Sequence, residues 1–387
     1  MIKKVLLKPR FRGWAIHSLY NELVEYPPQG FTILYEESGG KSSFHKIDNK
    51  SSKPIFKELF YQLKPIPYLI AQKYEKQNFS YYDIIYASQH VIFNSNKPWL
   101  VDLEFANALA AYGNLSIIKN NIQNRLKEKN CKFILPWSDW AKETLLLSLD
   151  CKDFKDKIRV IHYTIKPKIV KKENHDKIVL LFVGSSNPMN AYNIQFKNLK
   201  EVILAFQKIS EKYDNLELII RSYLNPELRY LINKSKNILL IDSFLSKKEL
   251  DDLYQIADIF VLPSHETCGI SLLDAMSFGL PVISMNLYDI PEVIINMKNG
   301  ILIDPPKDMR YYTKTKNPFD YSRKFMAEMK KNSCYMVEQL EKAYILLIEN
   351  TSLRDKLGKE AKYTIDKGEL SLEKRNEKLR GVLDEST

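Results

Sequence analysis

The chain has 387 residues, of which 45% are hydrophobic and 27% are charged. This length suggests two domains, and the composition is that of a soluble globular protein rather than of a disordered, collagenous or disulfide-scaffold chain. The formal net charge of +11 suits nucleic acid, anionic lipid or phosphorylated ligands, but the 58 cationic residues are spread along the whole chain, so charge alone identifies no partner.

Neither a membrane span nor a secretion signal is predicted. The apolar run in MIKKVLLKPRFRG is too short for a secretory signal and lacks a small-residue cleavage site, and no other run approaches membrane-spanning length. The cysteines, at 131, 151, 268 and 334, show no C-x-x-C spacing, so we expect neither a zinc site nor disulfides. The expected location is therefore cytoplasmic.

Short β-branched runs alternate with helical patterns from the N-terminus onward, which is typical of parallel α/β units. The strands predicted in the first half are KKVLL, FTILYE, YYDIIYA, PWLVDLEF, KFILPWS and IRVIHY, with helices such as HSLYNELVEY between them. The segment TIKPKIVKKENHDK carries prolines and charges without periodicity. We therefore expect a doubly wound first half that ends in a linker.

The same alternation begins again after the linker. The predicted strands are KIVLLFVG, LELIIRS, ILLID, DIFVLPS and LPVISMN, with helices in NLKEVILAFQKI, KKELDDLYQIA and LLDAMSF. From Tyr335 onward the pattern is helical with charged flanks. The sequence thus predicts an α/β protein with a second sheet of its own.

The stretch PSHETCGISLLDAMSFGLPVIS places two acids around a turn from strand to helix. Glu266 follows the predicted strand, and the next helix opens at Gly269, Ile270 and Ser271, whose amides are suited to a phosphate group. Asp274 follows about one helical turn later, so the spacing fits a phosphate flanked by two sugars. An acid near a helix start also arises from the helix dipole alone, so the pattern admits a purely structural interpretation.

These residues resemble the donor-site signature of retaining glycosyltransferase family 4, in which a Glu, seven intervening residues and a second Glu follow a Pro-Ser strand end. The resemblance extends upstream through LLFVG, FKNLKEVILAF and SFLSKKELDDLYQIADIFVLPS, and downstream through DIPEVI and NGILIDP. It implies a GT-B architecture, with two Rossmann-like α/β domains facing across a cleft. Residues 1–165 would bind the acceptor, residues 166–365 would bind the nucleotide sugar, and a helix of about 366–387 would pack back on the first domain.

Carried over residue by residue, the resemblance assigns roles to three side chains of the second domain. Glu266 would bind hydroxyls of the donor hexose, and Asp274, where the family usually has Glu, would bind the nucleotide ribose. Lys197 falls at the position of a diphosphate-binding lysine. Glu266 and Lys197 are therefore the expected catalytic residues, and the segment 269–271 would supply amides to the donor.

The resemblance is incomplete at two places. Ser185 follows Gly184 where many members have an arginine for the diphosphate, and Arg221 is the candidate replacement. The first domain matches weakly, through a basic loop at Gly13, FILPWSDWAKETL and RVIHYTI, and Glu104 stands where a histidine often faces the donor sugar. Gly13 and Glu104 are thus the acceptor-side candidates.

The resemblance implies transfer of a hexose with retained configuration by a front-face mechanism that uses neither metal nor cofactor, the nucleoside diphosphate sugar being a substrate. The acceptor would be a glycan, a lipid-linked molecule or a protein. A D-x-E sequence at 102–104 is similar to the metal motif of the other glycosyltransferase fold, but the two-domain pattern does not suit that fold. The alternatives are a nucleotide-sugar or glycan-binding protein without turnover, and a sugar-nucleotide epimerase; a nucleic-acid binder is least favoured.

Basic residues also cluster around the first predicted strand. Reversible docking of this edge on anionic membranes, with Trp14 as an interfacial anchor, is one interpretation, and a solvated basic start is the other. The residues concerned are Lys3, Lys4, Lys8, Arg10 and Arg12.

Overall fold

A computed structural model describes residues 2–9, 18–35, 63–74, 79–171, 176–185, 194–233, 235–307 and 323–387. The chain divides into two compact units, the first comprising Met1–Thr164 with Leu372–Thr387 and the second Ile165–Ser371. Each unit contains one sheet in which all paired strands are parallel. The predicted α/β class is therefore confirmed.

The first unit has a sheet of five strands in the order β2-β1-β3-β4-β5. These strands are β1 (Lys3–Lys8), β2 (Phe31–Tyr35), β3 (Ile84–Ser88), β4 (Trp99–Leu103) and β5 (Cys131–Pro136). Its helices before residue 165 are α1 (Ser18–Glu25), α2 (Pro65–Tyr74), α3 (Lys119–Lys127) and α4 (Asp139–Ser148), with short 3₁₀ turns at Ala106–Ala110, Leu115–Ile117 and Lys155–Lys157.

Burial explains why these runs pair as inner strands. Every residue of β4 is buried, as are the last four of β1, which is the pattern of a parallel sheet covered on both faces. The helix α4 begins where the sequence provides a cap, because the Ser138 hydroxyl accepts a 2.9 Å hydrogen bond from the Ala141 amide. Strand ends and helix starts consequently lie at defined positions along one edge of the sheet.

The second unit has a sheet of six strands in the order β11-β10-β9-β6-β7-β8. These strands are β6 (Ile178–Val183), β7 (Leu216–Arg221), β8 (Ile238–Ile241), β9 (Ile259–Leu262), β10 (Val282–Met285) and β11 (Gly300–Ile303). The described helices are α5 (Leu199–Ser210), α6 (Pro226–Ile232), α7 (Lys247–Ile256), α8 (Ile270–Ser277), α9 (Ile290–Val293), α10 (Arg323–Lys331), α11 (Ser333–Glu349) and α12 (Thr351–Asp366). The strand order reverses between β6 and β9, and ligands of open α/β sheets bind beyond the strand ends at such a point.

The final helix, α13 (Leu372–Ser386), belongs to the first unit. Its buried Arg375 donates hydrogen bonds to the carbonyl oxygens of Tyr26, at 2.9 Å, and Glu22, at 3.3 Å. Burial lowers the pKa of Arg375 to about 10, so the guanidinium stays charged at neutral pH. The guanidinium therefore adds a charged donor to two carbonyl oxygens at the end of α1, of which that of Glu22 also accepts from the Tyr26 amide and that of Tyr26 from the Asn376 side chain.

The prediction that IRVIHY is a sheet strand is wrong. The amides of Arg159 and Ile161 donate to carbonyl oxygens of β5, at Ile134 and Pro136, yet within the described residues the segment contributes only an isolated bridge between Ile134 and Ile158. After Ile161 the described chain makes no further pairing with this sheet, and the second unit begins at Ile165. The β-branched residues of this segment thus form an extended connection and not a strand of the sheet.

The basic edge differs from the cluster expected for membrane docking. Lys8 is only 4% exposed, so its ammonium is not available to a lipid headgroup, and the Lys4 ammonium lies 3.7 Å from the Tyr81 ring centroid. Gly13 and the other cluster members Arg10, Arg12 and Trp14 lie outside the described residues. None of the described helices is long and apolar enough to cross a membrane.

Gly358 lets α12 approach the end of α8. A Cβ at this position would lie 2.2 Å from the carbonyl oxygen of Gly279, and on the same face Lys362 donates a 3.0 Å hydrogen bond to the Ser277 carbonyl. We expect Gly358→Ala to lower stability by about 1–3 kcal/mol, because the added methyl forces the two helices apart. Gly381→Ala is the matched control, since no atom lies within 4 Å of its added Cβ.

Thermal unfolding of the two variants tests this contact. Both substitutions replace a helical glycine, which by itself stabilises a helix by up to about 1 kcal/mol. The melting temperature of the Gly381→Ala protein should therefore hold or rise while that of the Gly358→Ala protein falls. A rise in both would show that α12 does not rest on Gly279.

Candidate functional site

The second unit brings Glu266 and Lys197 into direct contact beyond the end of β9. The Lys197 ammonium donates to Oε2 of Glu266 in an ion pair, and the Ser264 hydroxyl donates to the same oxygen at 3.1 Å. The two charged side chains are 19% and 16% exposed. Two residues separated by 69 positions in sequence thus form one partly accessible charged pair at the switch point.

A backbone latch holds the segment before α5 against the end of β9. Asn198 adopts a left-handed conformation with φ of 50°, and its side-chain amide donates a 2.7 Å hydrogen bond to the Pro263 carbonyl. The His265 amide donates to the Phe196 carbonyl, also at 2.7 Å. Because these bonds flank Lys197 and Glu266, both side chains start from fixed backbones.

Aromatic side chains pack against the two backbone segments, at Phe196 and His265, that the latch joins. Phe325 of α10 stacks on Phe196 with ring centroids 5.8 Å apart and meets His265 edge-on at 5.6 Å. The three side chains are buried, and Met329 packs against the same cluster. The cluster positions the latch without contributing a charged group to the site.

Arg221 lies beside the loop that follows β6. Its guanidinium donates a 2.8 Å hydrogen bond to the Gly184 carbonyl, and the Tyr223 amide donates at 2.8 Å to the Ser185 carbonyl. Burial lowers the pKa of Arg221 below its usual range, which leaves it charged at neutral pH. Gly184 also lets the loop after β6 lie close to Ser222, because a Cβ on Gly184 would be 2.5 Å from the Ser222 hydroxyl oxygen. Arg221, the candidate replacement for the arginine that many family members have at the position of Ser185, therefore lies next to Gly184 and Ser185.

The start of α8 presents backbone amides at the same edge. Gly269 is the N-cap residue and supplies no side-chain cap, and the first turn of the helix carries no acid. The preceding amide, of Cys268, donates a 2.8 Å hydrogen bond to the buried Asp289 carboxylate. Ile270 and Ser271 form the first turn of a helix whose positive dipole end suits an anion.

Asp274 is half-buried on the second turn of α8, and α7 packs against this helix through Tyr254. Tyr254 of α7 stacks on Phe278 at 5.6 Å, and its hydroxyl lies 3.4 Å from the Ser271 carbonyl. Burial raises the pKa of Tyr254, and the nearby Asp274 charge raises it further. The structure thus places Asp274 close to the first turn that carries the candidate anion-binding amides.

In the first unit, Glu104 lies just beyond the end of β4. Its carboxylate accepts a 2.9 Å hydrogen bond from the Tyr112 hydroxyl, whose oxygen also lies 2.8 Å from Oε1 of Gln89. The neighbouring acid, Asp102, is 1% exposed and accepts four hydrogen bonds from the protein. A joint metal site of Asp102 and Glu104 is therefore not formed, since the lone pairs of Asp102 are already used.

Sequence reasoning missed the residues that hold the site in place. Asn198, Ser264 and Asp289 fix the backbone around Glu266 and Lys197, and each is a common residue type without a motif of its own. A hint was available for Asn198, because asparagine next to a predicted helix start is the residue most tolerant of a left-handed conformation after glycine. The partners of Asp102 carried no signal, since they come from three separate segments, around Tyr20, at the end of β3 and after β5.

His265 makes the second unit sensitive to acid. The imidazole is 3% exposed, and burial lowers its pKa to about 4, so it is neutral in the folded protein at pH 7. The unfolded chain takes up this proton near pH 6.5, so the free energy of unfolding should fall between pH 6.5 and 4. The full loss from this one group is about 3 kcal/mol.

Urea unfolding between pH 7 and pH 4.5 measures this loss. In His265→Gln the difference between the two pH values should be smaller than in the parent protein, because the buried base is gone. His162→Gln is the matched control, because it makes the same substitution at a half-buried histidine of the first unit. An equal pH dependence in His265→Gln and the parent would contradict the assignment.

Comparison with known proteins identifies a family whose model matches the second unit. The family model for glycosyl transferases group 1 matches residues 165–333. Spore coat protein SA of Bacillus subtilis is 26% identical over 148 residues, which are 37% of this chain and 39% of that protein. A probable sucrose-phosphate synthase of Thermosipho melanesiensis is 30% identical over 223 residues, 52% of this chain and 49% of that protein. The chain thus spans less than half the length of these relatives.

Among solved structures, Anabaena Alr3699/HepE in complex with UDP and glucose matches with a TM-score of 0.61. The match covers 99% of this chain and 100% of that chain at 13% identity, so the likeness concerns the fold, which is GT-B. The family model covers the strands and helices that carry Lys197, Arg221, Glu266 and Asp274. Residues 165–333 of this chain, which form most of the second unit, therefore match the family glycosyl transferases group 1.

Proposed function

We propose that this chain transfers a hexose from a nucleoside diphosphate sugar to a hydroxyl group of an acceptor, with retention of anomeric configuration. The observation that carries the proposal is the Lys197–Glu266 ion pair at the switch point of the second sheet, at the edge where α8 begins. A cation and helix-start amides suit the diphosphate, and a carboxylate suits sugar hydroxyls. The family match over the same residues supports this assignment.

The donor diphosphate would meet a set of positive groups from three loops. Lys197 precedes α5, Arg221 ends β7, and the amides at 269–271 open α8. Gly184 and Ser185 form the loop after β6 that Arg221 contacts through Gly184. Asp274, one turn into α8, would accept hydrogen bonds from the ribose hydroxyls.

Donor binding would rearrange the ion pair. A diphosphate carries more charge than a carboxylate, so it competes with Glu266 for the Lys197 ammonium. Glu266 keeps the 3.1 Å hydrogen bond from Ser264 and would accept further hydrogen bonds from the hexose hydroxyls. Before the donor binds, Lys197 and Glu266 thus compensate each other's charge. Once it is bound, Lys197 would contact the diphosphate and Glu266 the hexose.

The chemical step would be a front-face substitution at the anomeric carbon. The bond from that carbon to the diphosphate oxygen breaks, the bond to the acceptor oxygen forms on the same face, and the acceptor proton passes to the leaving phosphate. Lys197, Arg221 and the amides of α8 stabilise the negative charge that develops on the leaving group. In this scheme the protein's own cations perform the electrostatic task, so no metal ion is needed.

The acceptor would be bound by the first unit, with Glu104 as its described candidate residue. A glycan, a lipid-linked molecule and a protein side chain all present the hydroxyl group that the reaction requires. The proposal therefore assigns donor binding to the second unit and acceptor binding to the first.

A thermal-shift panel of UDP-, GDP- and ADP-linked hexoses tests donor binding, because a ligand that binds only the folded protein raises its melting temperature. The nucleoside diphosphate sugar with the largest shift is then incubated in radiolabelled form, and labelled products are separated. Labelled transfer or hydrolysis product supports the proposal. Binding without any product would indicate a binding protein, an epimerised sugar would indicate an epimerase, and no shift with any member would overturn the proposal.

A further inference from the structure

A buried carboxylate anchors a hydrogen-bond network at the carboxyl edge of the first sheet. Oδ1 of Asp102 accepts from the Tyr20 hydroxyl and the Gln89 amide, each at 3.0 Å. Oδ2 accepts from the Tyr86 hydroxyl at 3.2 Å and from the indole nitrogen of Trp137 at 3.0 Å. These four donors use the main acceptor positions of the carboxylate, so Asp102 acts on its surroundings rather than on a ligand.

The network continues from Asp102 to Glu104 through two side chains. Gln89 has a φ of 58°, and the Asp102 carboxylate binds its backbone amide, which stabilises this left-handed conformation. The Gln89 side chain contacts the Tyr112 hydroxyl, and that hydroxyl contacts Glu104. Three hydrogen-bond contacts, through Gln89 and Tyr112, thereby connect the buried carboxylate of Asp102 to that of Glu104.

Tyr112 is held in a backbone conformation that is costly for its residue type. Ala111 and Tyr112 have φ values of 53° and 64°, and such consecutive left-handed residues other than glycine are rare. The Phe105 ring packs against Tyr112 at 5.5 Å and against Trp140 at 6.2 Å, which braces the turn. Backbone strain of this kind persists where the surrounding structure fixes a side chain in a required position.

The direction of the hydrogen bonds follows from the single hydrogen of a phenol. Tyr112 is within hydrogen-bond distance of both Gln89 and Glu104 but can donate to only one of them. The consistent arrangement has the Gln89 amide group turned to donate to the Tyr112 oxygen, while the Tyr112 hydrogen goes to Glu104. In this arrangement Tyr112 donates to the Glu104 carboxylate and orients it.

We propose that Glu104 contacts the acceptor and that Tyr112, Gln89 and Asp102 are positioning residues behind it. A fixed carboxylate accepts hydrogen bonds from hydroxyls and repels carboxylates and phosphates. The acceptor therefore presents an uncharged, hydroxyl-rich group, such as a neutral sugar, to this site. This inference rests on the proposed function, since it names the acceptor class of the same reaction.

Saturation-transfer NMR with two probes tests the charge preference without requiring turnover. The probes are methyl α-D-glucoside, which is neutral, and methyl α-D-glucuronide, which differs by a carboxylate. The native protein should give at least a several-fold larger signal with the glucoside. Equal signals, a larger glucuronide signal, or no glucoside signal would overturn the proposal.

Variants of the network then identify the residues responsible. Glu104→Gln should lower the glucoside signal and reduce the preference over the glucuronide at least several-fold, because the repelling charge is gone. Tyr112→Phe should weaken glucoside binding about tenfold by releasing Glu104, whereas the matched control Tyr81→Phe, whose side chain is exposed, should not. An unchanged preference in Glu104→Gln, or equal effects of the two tyrosine variants, would contradict the assignment.

UDP binding by the same proteins keeps this inference separate from the proposed function. All variants should bind UDP with the affinity of the parent, since the donor residues lie in the second unit. Failure of UDP and the other nucleoside diphosphates to bind the parent would count against the proposed function, whatever the glycoside probes show. Parent-like UDP binding with no charge preference would instead overturn only the acceptor inference.

Discussion

Glu266→Ala should lower the rate of sugar transfer by about 10²–10³-fold, the range observed when one group that stabilises a transition state is removed. The affinity for UDP should rise a few-fold in the same variant. This opposite change is expected because Glu266 no longer competes with the diphosphate for the Lys197 ammonium. Stability should change little, by about 1 kcal/mol, since the side chain lies at the partly exposed edge of the sheet.

Steady-state kinetics with saturating donor and calorimetric titration with UDP measure the two effects. Glu227→Ala is the matched control, because Glu227 also pairs with a lysine, Lys200, at 2.9 Å but on an exposed surface. That variant should keep both the rate and the UDP affinity. Parent-like transfer by Glu266→Ala would remove this residue from the catalytic site, and a large loss of UDP affinity would show that the ion pair does not compete with donor binding.

Lys197→Ala should weaken UDP binding by about 10- to 100-fold and leave uridine binding nearly unchanged. The lysine is assigned to phosphate, and a charge-assisted hydrogen bond contributes about 1.5–3 kcal/mol. Titrations of UDP and uridine into the variant and into Lys200→Ala make the comparison. Equal weakening of both ligands would mean that Lys197 maintains the shape of the site rather than binding the diphosphate.

Local sequence patterns were sufficient for most of the strands and helices and for naming most of the candidate donor residues. Alternating strand and helix patterns predicted both sheets, because inner parallel strands need continuous apolar runs whatever their neighbours. Glu266, the segment 269–271 and Asp274 lie in one contiguous stretch, so one motif contained them all. The IRVIHY segment was wrongly predicted to be a sheet strand, because β-branched residues also favour extended connections outside a sheet.

The supporting contacts could not be predicted, because they join positions far apart in the chain. Lys197 meets Glu266 across 69 residues, and Tyr20 meets Asp102 across 82. Phe325 of α10 stacks on Phe196, the residue before Lys197, and no motif pointed to this contact. Such partners depend on how elements pack, and the packing leaves no trace in the periodicity of either partner alone.

The return of α13 to the first unit has a consequence for the order of synthesis. A ribosome completes the strands β1 to β5 about 230 residues before it makes α13, as the residue numbers of these elements show. During that interval the backbone carbonyls of Glu22 and Tyr26 lack the hydrogen bonds that the Arg375 guanidinium donates to them in the finished protein. The amino-terminal unit, although made first, is therefore expected to be the last to reach its final stability.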